Sequence, residues 1–216
     1  MLIGLLFAVA AATFPGPGTY TYSAAMAGRP LGQWSVAVKA SGAQTELDEN
    51  STVNLAGMAL TGSATLLLGP DLAPVRYDGH YRSPGQNVDT AVTVSSAGAS
   101  VVSSIASAKA PLPLVAETKH YVIVEPGLVA GLFALPAQLN AWKESSVTWI
   151  TPATAQAQAL SIDRAAPPTR PSGVPATDAS LSIAQPIAVT IWYDPTTLIP
   201  DRIDVPSQNA VLTRVH

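Results

Sequence analysis

Along most of the chain, apolar and polar positions alternate in short runs broken by Gly, Pro, Asn or Ser, the period-two pattern of half-buried strands joined by turns. TYTYSAAMAGRPLGQWSVAVKASG predicts two strands about a turn at Gly28 to Gly32. In the second, Trp34, Val36, Val38 and Ala40 fall on one face, with Gln33, Ser35 and Lys39 on the other. In TELDENSTVNLAG a third strand places Leu47, Val53 and Leu55 on one face and Glu46, Asp48, Asn50, Thr52 and Asn54 on a face that meets water. ALTGSATLLLGPDLAP and VRYDGHYRSPGQ supply a fourth and a fifth strand. A hairpin centred on SSAGAS spans Asn87 to Ala108, and ETKHYVIV is a further strand. This is the rhythm of an antiparallel meander.

The rhythm breaks at EPGLVAGLFALPAQLNAWKESS. Leu128, Leu132, Leu135, Leu139 and Trp142 recur at spacings of four, three, four and three, which predicts one amphipathic helix of about fourteen residues. Its apolar stripe is expected to lie on a sheet face, and Pro136 is expected to kink or split it. Strands resume at SSVTWITPATAQAQALSI. Residues 163–180, with four prolines and no periodicity, read as a long loop or mobile insertion. Leu181 to Tyr193, Arg202 to Pro206 and Ala210 to Val215 are predicted as three closing strands. In the first of these, Ile187, Val189, Ile191 and Tyr193 alternate with Ala188, Thr190 and Trp192. Between the first two, Asp194-Pro195 reads as a turn, because proline fixes its own φ and the aspartate accepts from nearby backbone amides. Asp201 and Arg202 open the returning strand and point to opposite faces.

The stretch IWYDPTTLIPDRI, followed by a last strand, resembles the closing hairpin of bacterial exported proteins with a LolA-like half-barrel, including the DUF3108 type. The Tyr-rich opening YTYSAAMAGRPLGQWSVAV is similar to the start of that group. The resemblance implies a curved antiparallel sheet wrapped around a helical plug and able to shelter an apolar ligand such as an acyl chain. It implies no catalytic residue.

Composition sharpens the picture. With 216 residues the chain suffices for one large β domain, expected over residues 19–216, and the last strands are too short to fold apart from the first. Charged residues make up only 12%, about half the usual share, while 19 prolines and 15 glycines supply turns. The apolar run Leu2 to Ala12 is too short to span a bilayer and ends in small residues, so residues 1–12 are expected to be a signal peptide directing the protein to the periplasm or outside the cell. No other run approaches membrane-spanning length. A net charge of -3 with no block of like charge argues against nucleic acid as a partner, and nothing in the chain specifies an oligomeric state.

No nucleophile, metal or phosphate-binding motif is present, and the chain has no cysteine. His80, His120 and His216 lack metal-ligand spacing, so neither a metal site nor a cofactor is expected. Asp78, His80 and Arg82 would share one strand face, opposite Tyr77 and Tyr81, and form a possible polar cluster. The simpler reading, a solvated strand face with cross-strand ion pairs, is preferred. Glu46, Asp48 and Glu49 lack the loop glycine and spacing of a calcium motif and read as a solvated edge. Trp34, Trp142, Trp149 and Trp192 either anchor the core or line a pocket. The sequence therefore predicts a mainly β protein, a single curved sheet packed on one helix. The expected function is non-catalytic binding of an apolar or lipid-like molecule between them, at Trp34, Leu128, Leu132, Leu135, Leu139 and Trp142. A structural or adhesive surface domain and an unrecognised hydrolase are the alternatives.

Overall fold

Turn chemistry divides the N-terminal half into hairpins. Ala27 and Gly28 both take positive φ (48° and 76°), the geometry of a two-residue turn whose twist matches that of its flanking strands. The structure, a computed structural model, describes residues 14–55, 57–165 and 169–216, so the expected signal peptide at 1–12 lies outside the described residues. Seven strands, β1 (Gly18–Met26), β2 (Arg29–Ser41), β3 (Gln44–Leu55), β4 (Met58–Leu68), β5 (Pro74–Ser83), β6 (Gln86–Ser95) and β7 (Gly98–Ser103), pair antiparallel in succession.

The second half comprises β8 (Tyr121–Ile123), α1 (Ala130–Trp142), β9 (Ser146–Thr151), β10 (Gln156–Asp163), β11 (Ala179–Ile183), β12 (Val189–Tyr193), β13 (Pro200–Val205) and β14 (Ala210–Val215). β14 pairs with β1 and joins the halves into one 14-stranded sheet whose ends are β7 and β8. β8 and β9 pair in parallel, which requires a crossover, and α1 is that crossover. The sheet is not closed, but its two ends are tied. Leu112 exchanges backbone hydrogen bonds with Ala99 on the outer edge of β7, and the Tyr121 hydroxyl of β8 donates to the Leu112 carbonyl at 2.8 Å. Covering a free edge in this way removes a template for aggregation. The mainly β half-barrel, with one α-helix among the described residues, is thus as the sequence predicts.

The helix differs from the expected amphipathic one. Every residue from Ala130 to Leu139 is buried, because the sheet curls around α1 and leaves it no solvent face over those turns. The helix also runs unbroken through Pro136. Both ends are fixed by distant chain. At the start, no side chain caps locally; instead the Glu49 Oε2 atom of β3 accepts the backbone N–H groups of Val129 and Ala130, both at 2.7 Å. At the end, Lys143 takes a left-handed conformation, its N–H donates to Leu139 O, and the Arg164 guanidinium donates to the same carbonyl at 3.1 Å. The first turn lies so close to β8 that a Cβ on Gly131 would overlap the Ile123 carbonyl oxygen.

Two further expectations are corrected. Glu49 does not belong to a solvated edge: it is 1% exposed, since its position in the alternation puts it with Leu47 on the concave face. Asp48 and Glu46 do face outward, where Lys39 pairs with both. Leu181 to Tyr193 is not one strand but the hairpin β11–β12, with Leu181 opposite Ile191. Trp192, which alternates with the inward-facing Val189 and Ile191, is on the convex face and is 1% exposed. The Pro-rich segment folds back to place the Arg170 guanidinium 4.8 Å from its ring centroid, and the Trp192 Nε1 donates to Asp204 Oδ2 at 3.2 Å. Asp194 is a turn residue, accepting from Thr196 N at 2.7 Å, and this hydrogen bond holds its carboxyl below the usual range. No helix among the described residues is long and apolar enough to cross a membrane.

Candidate functional site

The helix fills one end of the half-barrel and stops short of the other. At the C-terminal end of α1, Gln138 donates to Leu72 O at 3.0 Å and the Trp142 Nε1 to Asp71 O at 2.7 Å, which locks the plug against the β4–β5 turn. At its N-terminal end a cavity of about 420 Å³ opens among the helix start, the loop 124–129, and the inner faces of β2, β3, β4, β12 and β14. Its walls are apolar: Leu31, Trp34, Val53, Leu128, Leu132 and Trp149 are among them. This volume lies within the range of small-molecule sites, and a dry wall with a few polar groups is their usual make-up.

The polar groups come from three directions. Ser51 of β3 donates to Gly62 O at 3.3 Å, and Tyr81 of β5 lies on the same wall. Glu125, just after β8, contributes a carboxyl that is 7% exposed; its Oε2 accepts the Ala153 N–H at 3.1 Å. Burial pushes this acid up to about 7, and the Ala153 hydrogen bond only partly offsets that. The loop carrying Glu125 is held in place by the Trp34 Nε1, which donates to Gly127 O at 3.4 Å, and by Glu49 beneath the first helical turn. Two buried polar atoms near this region, Glu49 Oε1 and the Tyr77 hydroxyl, have no protein partner. Burial raises the Tyr77 hydroxyl well above its ordinary value, with Glu125 and Glu49 adding to the shift.

Of the residues expected at the site, Trp34, Leu128 and Leu132 line the cavity. Leu135 and Leu139 do not; they are buried in the packed core further along α1. Trp142 is at the opposite end of the helix, stacked on His120 with ring centroids 4.2 Å apart. Asp78, His80 and Arg82 share the convex face of β5, away from the cavity, but do not converge. Asp78 pairs with Arg76 at 2.6 Å, while His80 Nδ1 and Arg82 Nη2 both contact Asp89 Oδ1, at 2.7 and 2.5 Å. Among the described residues, no group of three His, Asp or Glu side chains is placed to hold a metal ion. Sequence reasoning missed Glu125 and Ser51. Ser51 shares the parity of Leu47, while Glu125 follows the apolar run YVIV, a place where an acid has no partner in sequence.

No family model matches the chain, and no curated protein matches it. Among solved structures it is similar to a β-barrel-like protein of the domain of unknown function DUF1849 from Brucella abortus. That alignment covers 94% of this chain and 96% of the other, with a TM-score of 0.53 and 10% identity. At that identity the likeness is one of fold alone: the chain has a β-barrel-like architecture over nearly its whole length.

Proposed function

We propose that this is a non-catalytic, exported, LolA-like protein that holds an apolar or amphipathic, lipid-like molecule in the cavity between sheet and helix. The observation that carries the reading is the cavity itself. A core otherwise packed around α1 stops at Leu128 and Leu132 and leaves about 420 Å³ walled by apolar side chains. Export to the periplasm or beyond is supported by the apolar run Leu2 to Ala12 in the sequence, and the LolA-like plan by the closing hairpin.

The test is titration with the neutral apolar fluorophore N-phenyl-1-naphthylamine, which brightens on leaving water. Saturable binding at one site, lost when Leu128→Trp fills the cavity while far-ultraviolet circular dichroism is kept, supports the reading. No saturable binding to the folded protein, or equal binding to the filled variant, overturns it.

A further inference from the structure

We infer that the head group of the bound amphiphile is a hydrogen-bond donor, best a protonated amine, and that Glu125 receives it. The inference rests on the proposed ligand-binding role of the cavity. None of the lining residues is Lys, Arg or His, and the one carboxylic acid among them is Glu125. Arg82, on the strand next to the lining residue Thr61, is turned to the convex face by its bond to Asp89. An anionic head would therefore enter a wall with no cation to neutralise it and would meet a carboxyl, which is unfavourable in a dry site.

The Glu125 carboxyl is free to take a ligand. Its Oε2 accepts the Ala153 N–H, the Thr90 hydroxyl lies close enough to favour the ionised form, and no cation among the described residues pairs with it. That hydroxyl donates to Gly79 O at 3.3 Å. A donor brought by a ligand would add a partner to a side chain that is more than nine-tenths buried. A charge-assisted bond of that kind is about twice as strong as a neutral one, so an amine outranks an alcohol of equal chain length. The geometry thus sorts single-chain amphiphiles by head group: amine first, alcohol second, carboxylate last.

The experiment displaces N-phenyl-1-naphthylamine with dodecylamine, 1-dodecanol and dodecanoate at about pH 8, where the amine is charged and the free acid ionised. Dodecylamine is expected to bind roughly tenfold or more tighter than dodecanoate, with the alcohol between them. In Glu125→Gln, which keeps an acceptor for Ala153, the amine's advantage over the alcohol should fall to near one while the fluorophore still binds. Equal affinities for the three heads, a preference for dodecanoate, or an unchanged ranking in Glu125→Gln overturns the head-group assignment and leaves the cavity reading intact. Failure of the fluorophore itself to bind the wild-type protein overturns the cavity reading, and this inference with it.

Discussion

Glu49 offers the sharpest test of how the helix is held. Its carboxyl is buried, accepts two backbone N–H groups at the start of α1 through Oε2, and has no partner on Oε1. Burial pushes its pKa up from 4.5 to about 8, and the bonds from Ala130 and Val129 counter only part of that. Between those two values the folded protein binds more protons than the unfolded chain, so stability is fullest below about pH 4.5 and falls as pH rises through about 8. The 3.5-unit span from 4.5 to about 8, at about 1.4 kcal/mol per unit, sets a ceiling on the order of 5 kcal/mol for that loss. Glu49→Gln keeps the carbonyl acceptor but cannot ionise, so its stability relative to wild type should rise by several kcal/mol between about pH 5 and about pH 8.5. Glu49→Ala removes the acceptor from both N–H groups and should destabilise by roughly 2–6 kcal/mol at about pH 5, a deficit that shrinks by several kcal/mol toward about pH 8.5 because alanine, like glutamine, cannot ionise. Urea unfolding followed by circular dichroism measures all three proteins. Wild type and Glu49→Gln losing stability in parallel as pH rises would refute the reasoning, because the carboxyl would then be as easily ionised inside the barrel as outside it.

Other outcomes follow from the same geometry. Lengthening an n-alkyl amine by one methylene should tighten binding about fourfold, from about 0.8 kcal/mol per methylene, until the cavity is full, and then stop; a calorimetric series of chain lengths checks this, and a flat series refutes it. Gly131→Ala should destabilise by roughly 1–3 kcal/mol, because the new Cβ meets the Ile123 carbonyl. Were that contact absent, alanine's better helix propensity would make the same change stabilising by up to about 1 kcal/mol, so the sign read from urea midpoints decides. His80→Ala should shift stability by no more than about 1 kcal/mol and leave fluorophore binding unchanged, since His80 pairs with Asp89 on the solvated convex face.

The strands were legible because the concave face needs an apolar residue at every second position, and that pattern survives in one sequence. Trp34, Val36 and Val38 are buried as their alternation demands. The misreadings share one cause: a neighbour distant in sequence decides the environment. The alternation through Leu47 already places Glu49 and Ser51 inward, but acidity suggests water until the helix N–H groups are seen to lie there. Trp192 is on the face its alternation assigns, yet it is buried because Arg170 and the Pro-rich segment cover it. The i, i+4 and i, i+3 spacing located the helix correctly, but a stripe implies an exposed side only if the sheet is flat. Here the sheet wraps around the helix, so residues between the stripe positions are buried as well.

The same wrapping links stability to the site. The cavity exists because the start of α1 is drawn toward β3 by Glu49 and its lead-in loop toward β2 by Trp34, while Gln138 and Trp142 hold the far end. Contacts from two strands and one turn thus fix where the plug begins. Leu128 and Leu132 line the cavity only while that position is kept. Loosening the Glu49 contact should therefore reach Glu125 through the short segment between them, Pro126 to Ala130. Glu49→Ala is expected to weaken the amine's advantage over the alcohol even though Glu49 does not line the cavity, whereas His80→Ala leaves it unchanged. The cavity's head-group preference would then depend on a buried helix anchor as well as on the acid that meets the ligand.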